Sequence, residues 1–82
     1  MERGQVVRSL AGRDKGRFYA VLCLEGKAVF LADGKLHPLE RPKRKNPRHL
    51  QHTQTVFPPE MLEANGRLEK ALRAFNAPEK MV

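Results

Sequence analysis

A short basic segment with a glycine at each end separates the first two apolar runs of the chain. The segment is Gly12-Arg13-Asp14-Lys15-Gly16, and the runs are residues 5–10 before it and residues 18–24 after it. Because glycine adopts positive φ without a steric penalty, the backbone can reverse tightly here. The pattern predicts two strands joined by a loop. Asp14 is expected to close the turn by bonding the backbone downstream, and the loop can offer Arg13, Lys15 and backbone N–H groups to a phosphate.

The rest of residues 1–57 reads as further short strands separated by turn residues. The predicted strands are residues 5–10, 17–24, 28–32, 35–39 and 49–56. Asp33-Gly34 is a strong two-residue hairpin signal, and Pro38 places the fourth strand at a sheet edge. The run Arg41–Arg48 is expected to be an extended loop, since it holds five basic residues and two prolines. Closely spaced strands with tight turns predict a small β-barrel.

A helical segment is expected to follow the strands. Phe57-Pro58-Pro59 ends the sheet, residues 60–64 form one or two helical turns, and Asn65 is a good N-cap for a second helix. In that helix the apolar residues recur at helical spacing and predict one buried face: Leu68, Ala71, Leu72 and Phe75. We expect this face to pack on the chain's own barrel. The expected division is a barrel over residues 1–57, a helical segment over 58–76 and a frayed tail over 77–82.

The positive charge is concentrated in one part of the chain. The net charge is +7, and residues 1–57 carry all of it, with twelve Lys/Arg against five Asp/Glu; residues 58–82 have four of each. This asymmetry indicates a polyanionic partner for the first part. No run is long enough to span a membrane or to form a signal peptide, so we expect a cytoplasmic protein. The single cysteine, Cys23, excludes an internal disulfide and is expected to be a small buried hydrophobe.

The N-terminal third of the chain resembles the KOW family, whose motif is an RNA-binding signature of ribosomal and transcription-elongation proteins. The matching residues are Val7, the pattern Gly12-x-x-Lys15-Gly16, the apolar strand through Val21, and then Val29 and Leu31. The longer string from Gly4 to Arg17 is similar to the KOW-domain large-subunit ribosomal proteins of archaea and eukaryotes and their small relatives in Gram-positive bacteria. The resemblance implies an SH3-like β-barrel and covers residues 4–56. Two positions depart from the pattern: Ser9 stands where many KOW units have a hydrophobic residue, and Tyr19 where many have a third glycine.

Charge and resemblance together predict a non-enzymatic RNA-binding protein. The resemblance implies ribosomal RNA, and with it the ribosome or its assembly intermediates as partners. The five aromatic residues are mostly needed in the core, so docking on structured RNA by backbone charge is favoured over stacking on successive bases. The predicted RNA-binding residues come from the glycine loop, its flanks and the basic run: Arg8, Gly12, Arg13, Lys15, Gly16, Arg17, Lys43, Arg44, Lys45, Arg48 and His49. The alternative is an SH3-like interaction module whose basic face binds an acidic protein segment.

Enzymatic and metal-binding functions have little support in the sequence. Gly12-x-x-Lys15-Gly16 lacks the Gly-Lys-Ser/Thr order of a phosphate-binding P-loop and precedes a strand. The acidic residues show no spacing typical of a paired acid and base. His49-x-x-His52 lacks the further paired ligands that a structural zinc site requires. We therefore expect no catalytic residues, no metal, no cofactor, no small-molecule substrate and no membrane partner.

Overall fold

The chain folds into one antiparallel sheet followed by a C-terminal helix. This computed structural model describes residues 1–76. The strands are β1 (Gln5–Ser9), β2 (Phe18–Glu25), β3 (Ala28–Ala32), β4 (Lys43–Lys45) and β5 (Leu50–Val56), in the spatial order β4-β3-β2-β1-β5. Short 3-10 helices lie at Pro47–His49 and Pro59–Leu62, and helix α1 spans Asn65–Asn76. No helix within residues 1–76 is long and apolar enough to cross a bilayer.

The sheet buries both of its faces. On one face a core forms almost wholly from the strands: Val7, Tyr19, Val21, Val29, Leu31 and Leu50, with Met1 packed against it. A single sheet can bury such a face against itself only by curling, as small β-domains do. On the other face the strands pack against the helical segment, in a core of Val6, Ala20, Ala32, Leu62, Leu68 and Leu72. The predicted class, mostly β with a C-terminal helix, is confirmed.

The curled sheet is not closed into a complete barrel. Strands β4 and β5 lie at its two edges and do not pair with each other within residues 1–76. Strand β4 has only three residues, all of them Lys or Arg. A short, charged edge strand of this kind discourages further pairing.

Helix α1 packs on the chain's own sheet, as predicted. Leu68 and Leu72 are completely or almost completely buried, and the Phe75 ring lies 5.4 Å from the Phe18 ring, measured between centroids. The Asn76 side chain accepts the Phe18 N–H at 2.9 Å and donates to the Phe18 carbonyl at 3.1 Å. The last residue of the helix is therefore fixed to the first residue of β2. The prediction of a frayed tail concerns residues outside the described part of the chain.

The predicted strand over residues 35–39 is wrong. Asp33 Oδ1 accepts the backbone N–H groups of Lys35 and His37, at 2.9 and 2.8 Å. The Asp33 N–H in turn donates to the His37 carbonyl at 2.9 Å. The segment forms a compact loop because the aspartate side chain takes the hydrogen bonds that a strand would give to a neighbour.

The predicted extended loop over residues 41–48 is also partly wrong. Its central residues form β4, which pairs with β3 in the register Val29↔Lys45, Phe30↔Arg44 and Leu31↔Lys43. Charged side chains are acceptable here because an edge strand borders solvent. The flanking Pro42 and Pro47, which cannot donate to a ladder, limit the strand to three residues.

Cys23 is exposed, which contradicts the expectation of a small buried hydrophobe. The register of β2 against β3 shifts between Val21 and Cys23. Beyond this irregularity the last three residues of β2, Cys23 among them, are all exposed.

Asn65 does not cap helix α1. The first bond of the helix runs from the Leu68 N–H to the Ala64 carbonyl at 3.0 Å. The Asn65 side chain instead accepts the Leu39 N–H at 2.7 Å and donates to Glu40 Oε1 at 2.8 Å. The hydrogen bond from Asn65 lowers the pKa of the Glu40 carboxyl. The residue thus ties the loop before β4 to the helix.

Candidate functional site

The glycine-bracketed loop is a tight connection between β1 and β2. The Ser9 N–H donates to the Arg17 carbonyl at 2.9 Å, and the Gly16 N–H donates to the Ser9 carbonyl at 2.8 Å. Gly12 and Gly16 have φ of 90° and 92°. Residues with a Cβ rarely adopt these backbone angles, so the chain can change direction at both positions only because each is a glycine.

Asp14 is the centre of a hydrogen-bond network beneath this loop. Its Oδ1 accepts from Ser9 Oγ at 3.0 Å and from Lys45 Nζ at 2.9 Å, and its Oδ2 accepts from the Tyr19 hydroxyl at 2.9 Å. Lys43 Nζ lies 3.8 Å from Oδ2. The expectation that the Asp14 side chain closes its own turn is therefore wrong, because it points to β1, β2 and β4 instead. Ser9 and Tyr19, the two departures from the KOW pattern, both donate to this carboxylate.

The network keeps Asp14 ionised. Burial alone would raise the pKa of its carboxyl, but the hydrogen bonds from Lys45, Tyr19 and Ser9 outweigh that effect and hold the pKa far below the usual range. Burial and the hydrogen bond to Asp14 raise the pKa of the Tyr19 hydroxyl well above its ordinary value. The carboxylate and the neutral phenol therefore stabilise each other at neutral pH.

Asp14 joins two basic segments that are distant in the sequence. Through Lys43 and Lys45 it connects the loop to strand β4. Between them lies a groove of about 420 Å³, which we call the Asp14 groove. Its lining comes from the loop, the start of β2, the Asp33–His37 connection and β4: Gly12, Arg13, Asp14, Arg17, Tyr19, Leu36, His37, Lys43 and Lys45. Four cationic side chains and one carboxylate thus line this groove.

Two of these cations are strongly engaged with acidic residues. The Lys45 side chain is only 10% exposed and also donates to the Ala11 carbonyl at 3.0 Å. Arg17 Nη2 lies 3.1 Å from Asp33 Oδ2. Burial opposes ionisation of Asp33, but backbone hydrogen bonds from His37 and Lys35 and the bond from Arg17 lower its pKa. Arg17 Nε is buried and has no hydrogen-bond partner among residues 1–76.

Other predicted RNA-binding residues are more open to solvent. Arg13 and Lys15 are exposed on the loop and form no ion pair in the described part of the chain. Gly16 is half-buried at the base of the loop. Arg48 and His49 are exposed on the 3-10 helix, whose His49 carbonyl accepts the Leu10 N–H at 2.8 Å.

Arg8 and Arg44 lie on the opposite side of the sheet from the groove. Strand residues alternate between faces. Arg8 lies between the buried Val7 and Ser9, and Arg44 lies between Lys43 and Lys45, while both arginines are exposed. The eleven predicted residues therefore do not form one surface: five of them line the groove.

Sequence reasoning missed the residues that complete the groove. The sequence pattern assigns Leu36 and His37 to a strand and Asp14 to a simple turn, although all three line the groove with the loop. One signal was available: Lys43 and Lys45 are two residues apart, so treating this run as a strand would have placed both side chains on one face. In the described residues, no group of three or more His, Cys, Asp or Glu is placed to hold a metal ion.

Comparisons with known proteins leave the family open. No protein-family model matches the chain, and no curated protein sequence matches it. The KOW resemblance stays a prediction that rests on the residues quoted above.

Proposed function

We propose that this protein binds structured RNA through backbone phosphates and has no enzymatic activity. The observation that carries the proposal is the connection of the glycine loop to β4 through Asp14. This connection supports a single cationic surface formed by two segments that are about thirty residues apart. Phosphate contacts of this kind position a protein on RNA without reading its sequence.

The cations divide into structural and RNA-contacting groups in this proposal. Lys45 supports the loop from below, since its ammonium is already bonded to Asp14 and Ala11. Arg13 and Lys15 at the tip of the loop contact phosphates, and Lys43, with 30% of its side chain exposed, contributes from the adjacent strand. Arg48 and His49 extend the surface from the 3-10 helix that follows β4, where the His49 carbonyl accepts the Leu10 N–H.

The proposed RNA is ribosomal. Support for this step comes from the resemblance of the Gly4–Arg17 string to KOW-domain ribosomal proteins, and from the confinement of the charge surplus to residues 1–57. The protein would act as a ribosomal protein or as a ribosome-associated factor.

Co-sedimentation on sucrose gradients tests this proposal. Tagged protein is run with ribosomal subunits at low and high salt, with and without RNase. The variant is Arg13→Ala/Lys15→Ala, and the control is Lys70→Ala/Arg73→Ala, which removes the same charge from exposed positions of helix α1. We expect the wild type and the control to move with a subunit and the loop variant to remain nearer the top.

The outcomes separate the candidate functions. Association that survives high salt identifies a ribosomal protein, whereas association only at low salt identifies a transient factor. Protein that stays at the top under all conditions, and purifies without nucleic acid, contradicts RNA binding. That result would favour the alternative, a module that binds an acidic protein segment.

A further inference from the structure

The Asp14 groove has an apolar part that phosphate binding does not require. Leu36 is 67% exposed, the highest exposure among the large hydrophobic side chains in the described residues. The Asp33–His37 connection cannot easily rearrange to bury Leu36, because Asp33 Oδ1 accepts the backbone N–H groups of the residues on either side of it, Lys35 and His37. A rigid loop therefore presents an aliphatic side chain at the edge of a cationic groove.

His37 provides a fixed ring beside Leu36. Its imidazole lies edge-on to the Tyr19 ring, with centroids 5.8 Å apart and an interplanar angle of 61°. The His37 backbone is held on both sides, since its N–H donates to Asp33 and its carbonyl accepts from Asp33. Tyr19 is itself 1% exposed and bonded to Asp14, so the ring beneath His37 is held in place as well.

The groove also offers two cations that have donors available for a ligand. Arg13 is exposed, and Lys43 Nζ lies 3.8 Å from Asp14, beyond a short hydrogen bond. Lys45, by contrast, is occupied by Asp14 and Ala11. A ligand with an anionic group for Arg13 and Lys43 and a flat apolar group for Leu36 and His37 would satisfy both parts of the groove.

The size of the groove favours a compact ligand over a helix. A volume of about 420 Å³ falls within the range of about 300–1,000 Å³ typical of small-molecule sites. The bases of a duplex are stacked and paired, so they cannot enter such a groove. Bases in bulges and loops can be splayed out and packed against side chains.

We propose that the Asp14 groove holds one unpaired nucleotide of a structured RNA, with its phosphate on Arg13 and Lys43 and its base against Leu36 and His37. This inference rests on the proposed RNA-binding function and refines it. It makes the protein a reader of a local RNA shape, a helix with one nucleotide turned outward, in addition to a binder of backbone charge.

Matched RNA hairpins test the inference. All five hairpins share one identical terminal loop; the stem of one is fully paired, and the stems of four others carry a single bulged A, C, G or U, so that only the bulge differs. Binding is measured by fluorescence anisotropy at one salt concentration. We expect at least one bulged RNA to bind about threefold to tenfold more tightly than the paired RNA, as partial burial of one apolar side chain would give. Leu36→Ser should abolish this preference while leaving affinity for the paired hairpin unchanged.

Leu24→Ser is the matched control. Leu24 is 50% exposed at the end of β2 and does not line the groove, so its replacement should leave the preference intact. Thermal melting of both variants checks that they are folded.

Three results would overturn the inference. If bulged and paired hairpins bind equally well and Leu36→Ser has no effect, the groove holds no nucleotide while the RNA-binding proposal stands. If neither RNA binds, the RNA-binding proposal fails and the inference fails with it. If a bulged RNA binds more tightly than the paired RNA but Leu36→Ser keeps this preference, the unpaired nucleotide lies outside the groove.

Discussion

The ammonium of Lys45 donates a 2.9 Å hydrogen bond to Asp14, and the two side chains are only 10% and 13% exposed. This pair joins residues that are thirty-one positions apart and holds the glycine loop against β4. In such a buried pair, each charge depends on the other, because removing one partner leaves the second uncompensated. The basic character of the surface thus rests on an acidic residue.

Replacement of Asp14 by asparagine should destabilise the fold. Asparagine keeps the shape and one acceptor oxygen, but it removes the charge that compensates Lys45. We expect a loss of about 2–3 kcal/mol in the free energy of unfolding, measured by urea denaturation. Glu25→Gln, an exposed position at the end of β2, should change it by less than about 0.5 kcal/mol. Equal urea midpoints for Asp14→Asn and Glu25→Gln would show that the hydrogen-bond network of Asp14 adds nothing to stability.

Acid should weaken the protein through the same carboxylates. The pKa values of Asp14 and Asp33 are lowered in the folded state, so both groups add stability above the unfolded value near pH 3.9. This contribution is lost as the pH falls below that value, since the unfolded chain then binds protons more readily. Thermal melts between pH 7 and pH 3 should show the decline, and Asp14→Asn/Asp33→Asn should have a flatter profile. Parallel profiles would contradict this origin of acid sensitivity.

Tyr19 can be titrated directly, because it is the only tyrosine in the chain and there is no tryptophan. Its raised pKa predicts that phenolate absorbance stays low as the folded protein passes the ordinary tyrosine value of about pH 10. The urea-unfolded protein should titrate near that value and serves as the control. Because the folded pKa is raised, the stabilisation by the neutral phenol is present below pH 10 and is lost at higher pH. A folded curve that overlays the unfolded one would contradict the buried hydrogen bond to Asp14.

Two glycines with positive φ should differ in their tolerance of alanine. Gly34 has φ of 81°, and a Cβ there would collide with the backbone of Asn65 at the start of helix α1. Gly26 has φ of 57°, and a Cβ there would meet no atom within 4 Å beyond its chain neighbours. Gly26→Ala should therefore lower the free energy of unfolding only by the strain of this backbone angle, about 1 kcal/mol. We expect Gly34→Ala to lower the free energy of unfolding, measured by urea denaturation, by at least twice as much. Similar costs would show that the Asp33–His37 loop can move away from the helix.

Most of the strand arrangement follows from local signals in the sequence. Strand β3 has the predicted bounds, β1 and β5 differ from prediction by one residue at one end, and β2 is shifted by one residue at both ends. Apolar runs bounded by glycine turns are properties of neighbouring residues, which is why they can be read without the fold. The strand predicted over residues 35–39 is absent because the Asp33 side chain competes for backbone hydrogen bonds there.

The candidate site could be predicted only in part. The glycine loop and its two cations follow from sequence, because their chemistry lies within five consecutive residues. The Asp14–Lys45 pair does not, since it depends on how the sheet brings β4 beside the loop. Strand alternation would separate Lys45 from Arg44 if the run were read as a strand, but it does not say which of the two faces lies below the loop. In the structure Lys45 is bonded to Asp14 there, and Arg44 is exposed on the opposite face.

Arg13 and Lys15 should set part of the salt dependence of RNA binding. If about four to six phosphates are neutralised, log affinity falls against log salt with a slope of about −3 to −5. Removing two phosphate contacts in Arg13→Ala/Lys15→Ala should weaken binding and make the slope shallower by about 2. Lys70→Ala/Arg73→Ala removes the same net charge from helix α1 and should leave the slope unchanged, which separates direct contact from long-range attraction. A loop variant with an unchanged slope would place the phosphates elsewhere on the protein.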